Sequence, residues 1–163
     1  MTATEQYVDV LTRLKPGELG LLRAHAGRGL DESVAGFDLF AGLWWPLRQR
    51  NERAPKREVA WLVAKLYACC PIEHLPGAAL ARQLGHCQPN KDPAKERFQK
   101  AFDRILTLPL DQIEPPLRWA LAQVASNDGR VDWAKLTDDL WQWEHESTRL
   151  RWAEQFLGYN ERG

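Results

Sequence analysis

The chain has 163 residues, 22 basic against 22 acidic side chains, and 44% hydrophobic residues. This length and composition are typical of a globular protein with a buried core and argue against disorder over the whole chain. Zero net charge argues against a free-standing nucleic-acid-binding protein, because such proteins are usually strongly basic.

The cysteines and the N-terminus indicate a reducing compartment. Cys69, Cys70 and Cys87 are an odd set with a vicinal pair, which is not typical of a disulfide framework. The first ten residues, MTATEQYVDV, contain no apolar signal-peptide core, and no apolar run reaches the ~18 residues that span a bilayer. We therefore expect a soluble, cytoplasmic protein that has no membrane partner.

The first half of the chain predicts four helices separated by Pro and Gly. Thr2 and Glu5 fit a capping box at the start of the first helix, and Pro16-Gly17 ends it. A second helix follows around Leu19 to Leu22. Apolar residues predict a third helix that stops before a proline: Phe37, Phe40, Leu43, Trp44 and then Pro46. A fourth begins near Pro55 and carries an apolar stripe: Val59, Leu62, Val63, Leu66 and Tyr67.

The second half begins with a Pro/Gly-rich segment in which we expect at most a short helix over residues 78–84. Asp92-Pro93 and Pro115-Pro116 then mark the starts of two helices. Asp132 and Ser147 are predicted to cap two more, the last with Leu150 and Phe156 or Leu157 facing inward. Strand signals are nearly absent.

These elements predict an all-α fold of two small packed helical bundles joined by a Pro/Gly-rich loop. We assign residues 1–72 to an N-terminal lobe, residues 73–92 to the connecting loop and residues 93–163 to a C-terminal lobe.

Catalytic and metal-binding motifs are not recognisable in the sequence. His74, His86 and the three cysteines match no standard zinc spacing, and no Gly-rich phosphate loop or nucleophile elbow occurs. Asp138 and Asp139 are adjacent, so on a helix they point about 100° apart and cannot easily share a metal or a proton. We interpret them as a solvated face and predict no catalytic residues, no metal and no cofactor.

Four of the eight tryptophans cluster near the C-terminus: Trp133, Trp141, Trp143 and Trp152. Exposed aromatic rings can stack on single-stranded bases, but rings at helical spacing are more often part of the core. Trp143 lies off the apolar stripe of its helix and is the better candidate for an exposed or interfacial ring.

Basic residues are concentrated in two stretches. The first contains Arg48, Arg50, Arg53, Lys56 and Arg57. In the second, Arg97, Lys100 and Arg104 recur at spacings of three and four, which puts them along one flank of a helix. The planar fork of arginine suits phosphate, so these stretches predict either a phosphate-binding edge or a solvated surface.

Residues 128–146 are rich in acidic side chains, which either face a basic partner or are solvated.

The order of motifs in the C-terminal half resembles the CasB family, the small helical subunit of the type I-E CRISPR surveillance complex, Cascade. The matching segments are Arg97-Phe98-Gln99, Leu117-Arg118, Val131-Asp132-Trp133, Leu136, Asp139-Leu140, Trp143, Arg151-Trp152-Ala153 and Phe156. In the N-terminal half the resemblance is carried by Pro16-Gly17-Glu18-Leu19, Leu22-Arg23, Trp45-Pro46-Leu47 and the helix at Val59 to Tyr67.

The resemblance implies an all-helical, non-catalytic subunit that stabilises the R-loop, in which target DNA is unwound and one strand is displaced. Its expected partners are the guide-RNA-containing backbone and large subunits of Cascade, a second copy of the chain, and the target DNA including the displaced strand. The residues that the resemblance assigns to nucleic acid are Arg23, Arg57, Arg97 and Arg118. The alternative is a helical adaptor that binds only protein.

Overall fold

The structure, a computed structural model, describes residues 1–29 and 34–158, without the side chains of residues 34–37. Within these residues it contains nine α-helices, a short 3-10 helix and no β-strand, with one isolated bridge between His74 and Val131. The helices are α1 Ala3–Thr12, α2 Pro16–Arg23, α3 Val34–Arg50, α4 Arg57–Cys69, α5 Leu80–His86, α6 Ala94–Thr107, α7 Glu114–Ser126, α8 Trp133–Trp141 and α9 Glu146–Leu157. The all-α fold class is confirmed.

The chain forms two compact units, Met1–Pro71 and Ile72–Gly163. The whole segment 73–92 therefore belongs to the second unit, where α5 packs against α9 and α7. The assignment of residues 1–72, 73–92 and 93–163 to two lobes and a linker stays a prediction. No helix in the described ranges is both long and apolar enough to cross a membrane.

Helix α4 is the centre of the first unit. Every residue from Val59 to Ala68 is buried, which is typical of a helix surrounded by other elements. Tyr7 of α1 donates its hydroxyl to the Ala60 carbonyl over 2.6 Å, and burial raises the pKa of Tyr7 well above its usual value. The phenol thus stays protonated and remains a donor.

Buried tryptophans connect helices to carbonyl groups elsewhere in the chain. In the first unit, Trp44 Nε1 donates to the Pro55 carbonyl over 2.7 Å, and Trp61 Nε1 to the Arg28 carbonyl over 2.9 Å. In the second unit, Trp133 Nε1 donates to the Ile72 carbonyl over 2.8 Å, and Trp143 Nε1 to the Leu108 carbonyl over 2.9 Å. A buried indole N–H needs such an acceptor, so these bonds fix the path of the segments that provide the carbonyls.

Several predicted helix ends are confirmed and others are wrong. The capping box at Thr2 and the cap at Asp132 are present. Helix α3 does not stop before Pro46 but continues through it to Arg50. Ser147 lies inside α9, whose first flanking residue is His145, and Leu150 is 58% exposed rather than inward. The prediction for Phe37 concerns a side chain outside the described residues.

Asp139 is buried, so the interpretation of Asp138 and Asp139 as a solvated face is wrong for one of the two. The Asp139 carboxylate accepts hydrogen bonds from Trp152 Nε1, at 2.8 Å, and from Arg151, and it lies 3.6 Å from Lys135 Nζ. The carboxylate therefore joins α8 to α9 at a point where a buried charge is both paired and hydrogen-bonded, whereas Asp138 is exposed.

We expect Asp139→Ala to lower the free energy of unfolding by about 2 to 3 kcal/mol, because it leaves the buried Trp152 N–H and Arg151 without this acceptor. The matched change at an exposed carboxylate of α6, Asp103→Ala, should cost no more than about 0.5 kcal/mol. Urea unfolding of the two variants measures both values, and equal losses would contradict the assignment.

Gly85 of α5 lies where α5 crosses the backbone of α9. A Cβ at this position would clash with the Phe156 carbonyl oxygen and lie 3.1 Å from its carbonyl carbon. We expect Gly85→Ala to destabilise the protein by about 1 to 3 kcal/mol, because backbone atoms cannot move aside as a flexible side chain can. Gly20→Ala is the control, since no atom lies within 4 Å of its Cβ position. It should raise stability by about 0.5 to 1 kcal/mol in the same thermal unfolding measurement.

Candidate nucleic-acid interface

The first basic stretch covers the end of α3, the turn after it and the start of α4. Arg48 closes this turn, because its Nη1 donates to the carbonyls of Glu52 at 2.7 Å and Ala54 at 2.8 Å. Arg50 Nε donates to the Pro46 carbonyl of its own helix over 3.3 Å. Each guanidinium group therefore uses some of its N–H donors to bind backbone carbonyls. These bonds fix the position of the group and of its remaining donors.

The other members of this stretch are exposed. Arg53 donates its backbone N–H to Asn51 Oδ1. Its side chain is exposed and makes no hydrogen bond among the described residues. Lys56 is the flanking residue before α4. Arg57 is the first residue of α4, with its Nε 3.9 Å from Glu58. An exposed ion pair this long contributes little, so Arg57 remains able to exchange Glu58 for a phosphate.

Arg23 lies at the opposite end of α4 from Arg57. Its Nε donates to the Ala68 carbonyl, in the last turn of α4, over 3.0 Å. Eleven residues separate Ala68 from Arg57, which corresponds to about 16 Å along the helix axis. The structure therefore does not bring these two predicted residues together in one site.

The predicted flank of α6 is present in the second unit. Phe98, Phe102 and Ile105 are buried, whereas Arg97, Lys100 and Arg104 are exposed on one side of the helix. Lys100 pairs with Glu96 at 3.3 Å. Arg97 and Arg104 have no acidic partner within 4 Å in the described ranges, and they stand two turns apart, about 10 Å along the axis.

Arg118 lies on α7, next to the flank of α6. The rings of Phe98 and Trp119 are 5.0 Å apart, so the turns that carry Arg97 and Arg118 are neighbours. Arg118 is half-buried, and its Nε is a buried atom that has no hydrogen-bond partner in the described residues. Consecutive residues point about 100° apart on a helix, so Arg118 emerges at a different edge of α7 from Trp119.

Trp143 is not an exposed ring, contrary to the prediction. It is 1% exposed, and its ring packs edge-on against Trp152 with centroids 4.9 Å apart. The ring that lies on the surface is Trp45, at 50% exposure. A signal for it exists in the sequence, because Trp44 and Trp45 are adjacent on a helix and only one of two adjacent residues can point directly at the core.

The cysteines lie apart from any recognisable metal site. All three are free and half-buried. Burial raises the pKa of the Cys70 thiol, with a further increase from Cys69, and burial also raises that of Cys87. Protonated thiols are poor metal ligands. Among the described residues, no three His, Cys, Asp or Glu side chains form a group that could hold a metal ion.

Comparison with known proteins agrees with the resemblance seen in the sequence. The family model for CRISPR-associated protein Cse2 matches residues 18–157. A CRISPR-associated protein Cse2 of Thermus thermophilus is 36% identical, and the match covers 97% of this chain and 92% of the relative.

Solved structures show the same fold. The crystal structure of CasB from Thermus thermophilus has a TM-score of 0.72 at 30% identity, and the match covers 97% of this chain and 99% of the other. The crystal structure of M. ruber CasB has a TM-score of 0.75 over 99% and 96% of the two chains, and at 20% identity it supports the fold alone. The chain belongs to the CRISPR-associated protein Cse2 family, also named CasB.

Proposed function

We propose that this protein is a non-catalytic small subunit of a type I-E RNA-guided surveillance complex in the cytoplasm. In this role it stabilises the R-loop by sequence-independent phosphate contacts to the target and displaced strands, and it bridges neighbouring subunits. The observation that carries the proposal is the set of arginines on α6 and α7 whose guanidinium groups have no acidic partner within the described ranges. Membership of a CRISPR-associated family supplies the biological setting.

The charges on α6 and α7 favour phosphate over a purely solvated surface. Lys100 is already neutralised by Glu96 at 3.3 Å, whereas Arg97, Arg104 and Arg118 are not paired in this way. An unpaired guanidinium offers several N–H donors in a planar fork that matches phosphate oxygens. These contacts would read no sequence, as a subunit that serves any guide RNA requires.

The energetic requirement on such a subunit is small. Replacing a DNA duplex by an RNA–DNA heteroduplex is nearly balanced in free energy, so modest contacts to the strands shift the equilibrium. Each phosphate contact also releases counterions, which makes the stabilisation dependent on salt. Three or four arginines are enough for this purpose, and the chain does not need a net positive charge.

We expect Arg97→Gln, Arg104→Gln and Arg118→Gln, combined in the assembled complex, to shorten the lifetime of the R-loop on any target sequence. The slope of log K against log salt concentration should fall by about 0.7 to 0.9 for each lost phosphate contact. R-loop dissociation, measured at several salt concentrations and on two unrelated targets, tests both expectations.

Arg13→Gln is the matched control for charge. Arg13 is 78% exposed and pairs with Asp9 on α1, in the other unit. Its neutralisation should leave the R-loop lifetime unchanged. An unaltered lifetime in the triple variant, with the complex fully assembled, would remove α6 and α7 as the DNA contact.

A helical adaptor that binds only protein is the second candidate, and α9 provides the observation in its favour. Leu150 and Leu157 are 58% and 57% exposed, and they are seven residues apart on one side of the helix. Exposed leucines in register are typical of a surface covered by another protein chain.

Leu150→Asp with Leu157→Asp separates the two candidates. If the leucines contact another subunit, the double variant should co-purify with the complex at a clearly reduced yield, because each aspartate places a charge in an apolar contact. The adaptor role alone explains the results if the leucine variant loses yield in this way while the arginine variants leave the photocrosslinking of the complex to target DNA intact. Glu144→Ala, at an exposed position before α9, is a control that should leave the yield unchanged.

A further inference from the structure

Trp45 presents an aromatic surface that no role described above explains. It is 50% exposed, whereas its neighbour Trp44 is 9% exposed. Half of this large ring is in contact with water, so covering it with a partner would remove apolar surface from solvent and would be favourable.

The exposed ring rests on a rigid support. Its centroid lies 5.8 Å from that of Trp44, which itself stacks on Phe40 at 5.6 Å. The Trp44 indole is held in place by its bond to the Pro55 carbonyl. Because the support is ordered in advance, binding on Trp45 requires little additional loss of side-chain freedom.

The helix around Trp45 leaves room beside the ring. Helical side chains lean toward the preceding turn, which here carries Ala41 and Gly42. Apart from its chain neighbours and the backbone of α3, no atom lies within 4 Å of the Cβ position of Gly42. Pro46 has no N–H, so the Gly42 carbonyl lacks its usual helical donor four residues later.

One anchored arginine, Arg48, lies beside the ring, whereas Arg50 lies farther round the helix. Arg48 is three residues further along and emerges about 60° from Trp45. Arg50 emerges about 140° from Trp45, where it lines a cleft with Gln6 and Asp9 of α1. Their guanidinium groups are held at the C-terminal end of α3 by the carbonyls of Ala54 and Pro46. Asp38 lies about two turns toward the N-terminus, so the phosphate-favouring side of Trp45 is the side of Arg48.

From this arrangement we infer that Trp45 stacks on an unpaired base of the displaced DNA strand, with Arg48 contacting the adjoining phosphate. A flat ring beside cationic forks is the usual way in which proteins hold single strands without reading their sequence. This inference rests on the proposed function, and it adds a contact to single-stranded bases in the first unit.

The test uses the assembled complex with a target whose displaced strand carries 5-iodouracil at single positions. Irradiation joins the halogenated base to an aromatic ring in direct contact. We expect one register to give a crosslink within the tryptic segment 29–48, at Trp45. Trp45→Leu should abolish this crosslink and shorten the R-loop lifetime about fivefold or more, whereas Trp45→Phe should retain most of that lifetime.

The leucine variant separates stacking from an apolar protein contact, because leucine keeps apolar surface but has no aromatic face. Reduced co-purification of Trp45→Leu with the other subunits would show that Trp45 is a protein interface and overturn the inference. Leu21→Ala, at another exposed apolar residue of the same unit (38%), controls for the loss of surface area and should change neither readout.

The outcomes also distinguish this inference from the proposed function. If the arginine variants on α6 and α7 shorten the R-loop lifetime while Trp45 gives no crosslink in any register, the stacking contact is wrong and the proposed function stands. If Trp45 crosslinks to the displaced strand while those arginine variants have no effect, the stacking contact stands and the phosphate site on α6 and α7 is wrong.

Discussion

A buried indole ring carries one N–H donor that must find an acceptor, and this requirement shapes both units of the protein. Five tryptophans donate this N–H to an oxygen in another segment of the chain, either a backbone carbonyl or, for Trp152, the Asp139 carboxylate of the preceding helix: Trp44, Trp61, Trp133, Trp143 and Trp152. Each bond connects a large apolar surface to a point on the backbone or to a buried carboxylate, so a shift of the helix would both expose the ring and break the bond. The segments that provide the carbonyls are consequently held in place without strands or disulfides. Trp45 is used differently, since its ring is half in solvent while its neighbour Trp44 serves the core.

The arginines divide in a similar way between internal and external use. Arg48 and Arg23 donate to backbone carbonyls at the ends of helices, and Arg151 is bound to the buried Asp139. Arg97 and Arg104 make no such contacts in the described part of the chain and stand on one flank of α6. Identical side chains thus differ in function according to whether an acceptor lies within reach. A guanidinium that stabilises a turn keeps some outward N–H groups, so Arg48 can serve both purposes, whereas the exposed pair on α6 can contribute all of its donors to a ligand.

Local patterns in the sequence predicted the features that depend on neighbouring residues. The apolar stripe of α4, the cap at Asp132 and the flank carrying Arg97 and Arg104 follow from spacing alone, because a helix has a fixed period. Features that depend on distant contacts were not predicted. Asp139 looks like a surface carboxylate until Trp152 and Arg151 of the next helix are brought to it. Trp143 was the candidate for exposure because it lies off a stripe. It stands two residues beyond the end of α8, where it reaches the Leu108 carbonyl and the Trp152 ring. Pro46 was expected to end α3. A proline removes one helical N–H and crowds the carbonyl four residues earlier, but the helix continues through it to Arg50, with Leu47 buried beyond it.

Zero net charge is compatible with binding to nucleic acid when the binding occurs inside an assembly. At physiological salt a phosphate is influenced mainly by charges within about 8 Å, so the local set of arginines matters more than the sum over the chain. Arg97 and Arg104 are about 10 Å apart, which lets each contact its own phosphate with little mutual repulsion. A strongly basic subunit would instead bind any nucleic acid before assembly, because non-specific affinity grows with each phosphate neutralised. Under the proposed function, balanced charge with a few unpaired arginines and the exposed Trp45 ring therefore suits a protein that should hold DNA only where other subunits have already unwound it.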